Sequence, residues 1–233
     1  MKRRITRIVA ALAVVISLVL IGRYGFTVVA SEEVERAAQS EVFDPVAYID
    51  GIWDSRLLPA FSQESVELAA VLSEMQPDAN GNAQKESLVT IAKQYGLITV
   101  GEAHVYMVKG SGKIVAVNTE TSLGTAEVAL DGYEGPIRVL VYVGSRIPSD
   151  ETSVREAVGF ISFVDFKEQT EYGKVASEIN KRVLADVLVG LDRSSLLGKT
   201  ITFNGAFNIR TFNLISIELK EIRIVPVQIE VGG

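Results

Sequence analysis

The chain has 233 residues, a formal charge of −6, one histidine and no cysteine. The missing thiols exclude disulfides, thiolate metal sites and cysteine nucleophiles, and the lone His104 has no second histidine for a His-rich metal site. The first thirty residues carry five cations and no anion, which leaves 18 cations against 29 anions beyond them; that formal −11 repels phosphate backbones and argues against general nucleic-acid binding.

Lys2, Arg3, Arg4 and Arg7 precede an apolar run from Ile8 to Ile21, and no acid appears before Glu32. A cationic end followed by an apolar core is the order that export machinery reads and that the positive-inside rule orients. It predicts an extracytoplasmic chain beyond Ala30, in the periplasm or on the outer face of the cytoplasmic membrane. Ile8 to Ile21 makes roughly 21 Å of helix, short of a ~30 Å hydrocarbon layer. Continuing through Arg23 to Ala30 makes it long enough, with Arg23 snorkelling to the interface. Alternatively, Val28-Val29-Ala30 before Ser31 has the small-residue character of a cleavage site. Residues 1–30 therefore read as a membrane helix acting as signal-anchor, or as a signal peptide, with 31–42 a charged, Ala-rich stalk.

Residues 43–96 read as helical. Asp44-Pro45 supplies an N-cap and a first helical residue, Val46, Ile49, Ile52 and Trp53 share a face, and Pro59 marks the end. Ser62 opens a second helix with Val66, Ala69, Leu72 and Met75 inward, stopped before Pro77. Residues 78–82 are a turn, and a third helix covers Gln84 to Gln94 with Gly96 as C-cap.

The texture changes near Leu97 to short Val-, Thr- and Tyr-rich segments separated by turn signals, the pattern of antiparallel strands. Gly110-Ser111-Gly112-Lys113 reads as a hairpin turn, not as a phosphate loop, because no helix follows it. Ile137, Val139, Val141 and Val143 alternate with Arg138, Leu140 and Tyr142. A long helix over 167–191 carries Tyr172, Val175, Ile179, Val183, Val187 and Leu191 on one stripe. Asp165, Glu168 and Glu171 suit the dipole at its start. Ile201, Phe203, Phe207 and Ile209 alternate with Thr200, Thr202, Asn204 and Asn208. Val225, Val227 and Ile229 alternate with Pro226, Gln228 and Glu230, and Pro226 predicts an edge or a bulge. The expected fold class is α+β: an OB-like antiparallel β-barrel over 97–233, its long helix between the third and fourth barrel strands, with an N-terminal helical addition.

Asp50-Gly51-Ile52-Trp53-Asp54-Ser55-Arg56-Leu57-Leu58-Pro59 is the first of several motifs in one order. With Gly144-Ser145-Arg146-Ile147, Arg155-Glu156-Ala157-Val158-Gly159-Phe160-Ile161-Ser162-Phe163 and Gly198-Lys199-Thr200-Ile201-Thr202-Phe203-Asn204-Gly205-Ala206-Phe207, it resembles a family of uncharacterised bacterial predicted periplasmic lipoproteins. The resemblance covers about Phe43 to Glu230. It implies an OB-like barrel with a helical addition, encoded beside sugar ABC-transporter genes. The chain departs from a lipoprotein in one respect: Leu20-Ile21-Gly22 begins a lipobox, yet Arg23 occupies the place of the lipidated cysteine.

Seven residues are candidate ligand contacts. Helical spacing puts Asp50 and Asp54 on one face beside Trp53, so carboxylates for hydroxyls and an indole for an apolar sugar face would form a glycan contact together with Arg56. The same residues serve equally as a core anchor with structural hydrogen bonds. Arg138 and Tyr142 share the outer face of one strand, where an OB-type ligand surface or a solvated face would lie. Arg146 enters a loop, to hold an anionic group or to pair with Glu151, Asp165 or Glu168. His104 has no chemical companions in sequence. No catalytic set, metal site or cofactor motif is legible. The expected role is therefore binding without catalysis, as a membrane-attached accessory of a sugar uptake system whose partners are a transporter component or a sugar-like solute. The alternative is an OB-like module for oligosaccharide or nucleic acid.

Overall fold

The computed structural model describes Arg23 and residues 43–232, so the leader and stalk expected over 1–42 lie, Arg23 apart, outside the described residues. Residues Asp44–Gly233 form one compact unit.

Helix α1, Pro45–Ile52, begins as the sequence predicts, with the Asp44 carboxylate accepting from Val46 and Ala47 N–H at 2.9 and 3.2 Å. It does not end at Pro59. A π-helical turn over Trp53–Leu57 carries the chain into α2, Leu58–Glu64. A proline in a regular helix would leave the carbonyl four residues back without its donor; the wider turn places Pro59 instead in the first turn of α2, where no donor is needed. The chain then extends as β1, Val66–Glu67, parallel to the long strand β4, Ala103–Asn118. The second helix accordingly starts later than expected: α3 spans Leu68–Glu74 and buries Leu68 and Val71 with Leu72, and Met75 is buried just beyond it. Because β1 consumes Val66 in an extended conformation, the inward stripe shifts from Val66 and Ala69 to Leu68 and Val71.

The turn over 78–82 is held by the Asp78 carboxylate, which accepts from Asn80 and Asn82 N–H. Strand β2, Asn82–Gln84, leads into α4, Lys85–Tyr95, whose last turn donates from Gly96 N–H to Ala92 O. Gly96 is extended, not left-handed, so its role is close approach: an added Cβ would meet the Val105 carbonyl and the Tyr106 ring.

Strand β3, Leu97–Ile98, turns back into β4, Ala103–Asn118. The glycines expected to turn a hairpin lie inside β4. Gly110 and Gly112 pair with Phe203 and Ile201 of β7, Thr200–Arg210, and Gly112 also pairs with Leu130 of β5, Thr125–Leu130. A Cβ on Gly112 would lie 2.8 Å from Val128 Cγ1, 2.9 Å from Leu130 Cα and still nearer the Ala129 carbonyl. These glycines let one strand bend between two neighbours at once, which a side chain would block. Gly112→Ala is expected to lower stability by about 1–3 kcal/mol through forced backbone shifts, read as a lower urea midpoint.

Strand β6, Arg138–Tyr142, pairs antiparallel with β5 and parallel with β9, Glu221–Val231. The pairings run β4–β5–β6–β9–β7 and return from β7 to β4, a ring of five strands in the order strand, strand, strand, helices, strand, strand. The helices between β6 and β7 are α5, Ser153–Ala157, and α6, Gln169–Arg182. A short strand β8, Ser216–Glu218, pairs with β2 in a separate two-stranded sheet.

Helix α6 starts two residues later than the expected helix and passes at Val183–Leu188 into a second π turn. Val175, Ile179 and Val183 are buried as the stripe predicts, but the wider turn slips the phase so that Leu188, not Val187, faces the core. The Pro226 expectation holds as a bulge: Gly205 pairs with Pro226 while Asn204 pairs with Gln228, leaving Val227 as the extra residue. The core joins α3 and α4 to the inner faces of the ring, from Leu68, Leu72 and Leu88 to Phe203, Phe207 and Ile224. At its centre Tyr106 stacks on Phe207 with ring centroids 4.8 Å apart.

Candidate functional site

An open cleft of about 630 Å³ lies where the π turn after α1 and the π turn after α6 meet β4, β7 and β9. Its apolar lining is Trp53, Leu58, Val187, Phe203, Val227 and Ile229. Gly110 on β4 adds no side chain to the lining.

Part of the polar lining, Thr202 and Asn204 on β7 and Gln228 and Glu230 on β9, comes from the two late strands. Asn204 Nδ2 donates to Gln228 Oε1 at 2.9 Å, while Asn204 Oδ1 is buried with no hydrogen-bond partner among the described residues. Glu67 faces Lys109 at 3.4 Å, Asp186 pairs with Arg182 at 2.6 Å, and Glu230 completes the rim. Lys109 is the one cation among the lining residues, against Glu67, Asp186 and Glu230, so the cleft disfavours an anionic occupant.

Trp53 is 3% exposed and anchors the helical addition, yet it also lines this cleft. Asp50 accepts from Arg182 Nη1 at 2.6 Å, and that guanidinium lies 5.8 Å from the Trp53 ring. The bidding for Arg182 by Asp50 and Asp186 ties α1 to α6 across the head of the cleft. Asp54 is exposed and outside the lining, and Arg56 covers the Phe160 ring at 4.1 Å.

Arg138 and Tyr142 lie on the same side of β6, but only Arg138 is exposed there. Arg138 is exposed and bridges Glu127 at 2.7 Å and Glu221 at 3.3 Å, and its hydrogen bond holds the Glu127 carboxyl below its ordinary range. Tyr142 is buried, and that burial, with Glu151 nearby, raises its phenol. It lines a second cleft of about 520 Å³ with Asp150, Glu151, Arg210, Glu221 and Arg223. Pro148, Asp150 and Glu151 line that cleft with the end of β6, a neighbourhood that strand alternation alone does not reveal. Arg146 is exposed, and its backbone N–H donates to Ser122 O at 3.0 Å. Its side chain forms no ion pair among the described residues; Asp165 instead caps Ser162 N–H, and Glu151 accepts from Ser153 N–H.

The seven sequence candidates thus scatter, with Trp53 at one cleft, Tyr142 at another, and Asp50, Arg56 and Arg138 in ion pairs or ring contacts. Sequence reasoning passed over Glu67, Lys109, Asn204 and Gln228. The signal for the last two was present, since both sit at outward positions of cleanly alternating strands.

His104 is 1% exposed beside Thr211, with its Nδ1 unpartnered among the described residues. Burial, reinforced by Lys85, lowers its imidazole. The unfolded chain therefore binds the proton first, so stability is fully present above the ordinary imidazole value near 6.5 and falls as pH drops toward the depressed folded value. His104→Gln is expected to flatten that part of the profile, measured by urea melts between pH 7 and 5.

The description "predicted periplasmic lipoprotein (DUF2291)" matches residues 13–230. The chain belongs to this family. Family membership places the folded part outside the cytoplasm, and the family description assigns no activity. Lipid attachment at a cysteine has no acceptor atom here, because the sequence contains none. No curated protein matches the chain. Among solved structures, it is similar to the crystal structure of an OB-fold protein from Thermotoga maritima MSB8, at 18% identity and a TM-score of 0.59, covering 82% of this chain and 100% of that one. The family member described here therefore has an OB-type fold. Among the described residues no helix is long and apolar enough to cross a membrane, and no cluster of acids and histidine could hold a metal ion.

Proposed function

We propose that the chain is a membrane-attached accessory of a solute uptake system, working by binding a neutral, sugar-like solute in the cleft beside Trp53. The five-strand ring then serves as a closed OB-type barrel, and the N-terminal segment as an anchor, a reading that the missing lipobox cysteine favours. One observation carries the reading: the cleft sets an indole and five aliphatic or aromatic side chains against the amides of Asn204 and Gln228 and the carboxylates of Glu67 and Glu230. Polyhydroxylated rings present one apolar face and a rim of hydroxyls, which such a lining matches. Two of the three lining acids are engaged with cations, Glu67 with Lys109 and Asp186 with Arg182, which favours binding over acid–base chemistry.

The chain contains a single tryptophan, so its emission reports this cleft directly. Titration with mono- and oligosaccharides is expected to shift Trp53 fluorescence saturably, and Asn204→Ala should weaken the response about tenfold, the cost of one buried hydrogen bond. An unchanged spectrum across neutral sugars, or a response only to single-stranded oligonucleotides that collapses with salt, would defeat the proposal. In cells, deletion of the gene is expected to lower uptake of the same sugar.

A further inference from the structure

Two segments at one end of the domain, the β3–β4 turn with β3 and the stretch from the end of β7 into β8, expose large apolar side chains without an ionisable residue among them. Residues 96–101 present Leu97, Ile98 and Val100, and residues 211–217 present Phe212, Leu214 and Ile215. The exposure is high: Val100 is fully exposed, Ile215 76% and Phe212 62%. The segments adjoin, because Thr211 Oγ1 donates to the Glu102 carbonyl, Ala103 pairs with Arg210, and Lys85 N–H donates to Ile215 O. Charges that border them are neutralised in pairs, Lys85 with Glu102 at 2.5 Å and Arg210 with Asp150 at 3.1 Å.

We infer that this end seats on the lipid bilayer. The inference rests on the anchored reading above. Residues 31–42 can span at most ~40 Å, comparable to the diameter of a domain of this size, so the tether lets this end reach the surface and holds it at high effective concentration. The domain beyond residue 42, with 17 cations against 25 anions, is repelled by anionic headgroups, and a charge-free apolar end is the approach that avoids this cost. Side chains of this type at loop tips gain by entering the headgroup–acyl boundary, as apolar faces of interfacial helices do.

The absence of native cysteines makes the test clean. The full chain carrying Val100→Cys or Ile215→Cys is labelled with an environment-sensitive fluorophore. It is then reconstituted in vesicles of phosphatidylethanolamine and phosphatidylglycerol with nitroxide lipids. Glu134→Cys, on the exposed loop between β5 and β6, is the control. The expected result is flotation with the vesicles, quenching at 100 and 215 at a depth of roughly 5–10 Å, and no quenching at 134. Phe212→Ser combined with Ile215→Ser should reduce the docked fraction of the Val100→Cys chain at least about tenfold. Flotation with equal, water-like signals at all three positions overturns the docking and leaves the anchoring intact. Failure to float overturns the anchoring and the docking with it. A label shift that appears without lipid and grows with protein concentration marks self-association and also overturns the inference.

Discussion

Trp53→Ala is expected to lower the free energy of unfolding by about 3–5 kcal/mol, the cost of removing a large, almost wholly buried aromatic. The indole is 3% exposed and sits at the start of the π turn that joins α1 to α2. Truncation leaves a hole where α1, the turn after α6 and the floor strands converge, and the surrounding strands cannot collapse to fill it because their pairing is closed on both sides. For a domain of this length the thermal midpoint should fall by roughly 10 °C. The loss must be followed by far-ultraviolet circular dichroism, since the substitution removes the protein's single tryptophan. Trp53→Phe should recover much of the stability, as it restores most of the buried ring. Equal losses for both variants would show that the indole's contact with the Arg182 guanidinium, and not its volume, dominates.

Arg155→Ala should cost about 3 kcal/mol, a large effect for a charged residue, for a different reason. Arg155 is buried, its guanidinium lies 3.5 Å from the Tyr172 ring centroid, and it donates to Tyr172 O at 2.8 Å and to Glu156 at 3.0 Å. Removing it strands a carboxylate that is 16% exposed and takes an extra donor from a carbonyl of α6, and breaking a paired buried charge costs more than the pair itself contributes. Solvent reaching Glu156 keeps the loss at the lower end of the range. Arg155→Lys should recover only part of it, because an ammonium keeps the charge and loses the planar stacking and the forked donors. Urea melts of the three proteins at pH 7 test this ordering; a lysine variant as stable as the parent would show that charge alone is required.

Arg155 lies in a motif that the sequence makes conspicuous, but its chemistry is structural, pinning α5 to α6. The reverse holds for Asn204 and Gln228, unremarkable polar residues on alternating strands that the fold brings within 2.9 Å at the floor of a cleft. Local pattern decides which way a strand residue points, whereas whether that direction meets solvent, a helix or a cavity depends on elements far along the chain. Tyr142 shows the same limit: alternation puts it with Arg138, yet the tertiary structure buries one and leaves the other exposed.

The sequence is enough for the main helices and the late strands, though not for β1, β2 and β8, because capping chemistry at Asp44-Pro45, two-residue alternation in the late strands and the stripe over Val175, Ile179 and Val183 act within a few residues. It also determined that no cysteine can carry a lipid. Tertiary structure alone decided that Gly110 and Gly112 run through a strand, that Pro59 is absorbed in a π turn, and which side chains line the cleft. Each of those outcomes depends on a neighbour distant in sequence: a glycine turns or stays extended according to what packs over it, and a helix widens when its partner's position favours the extra residue.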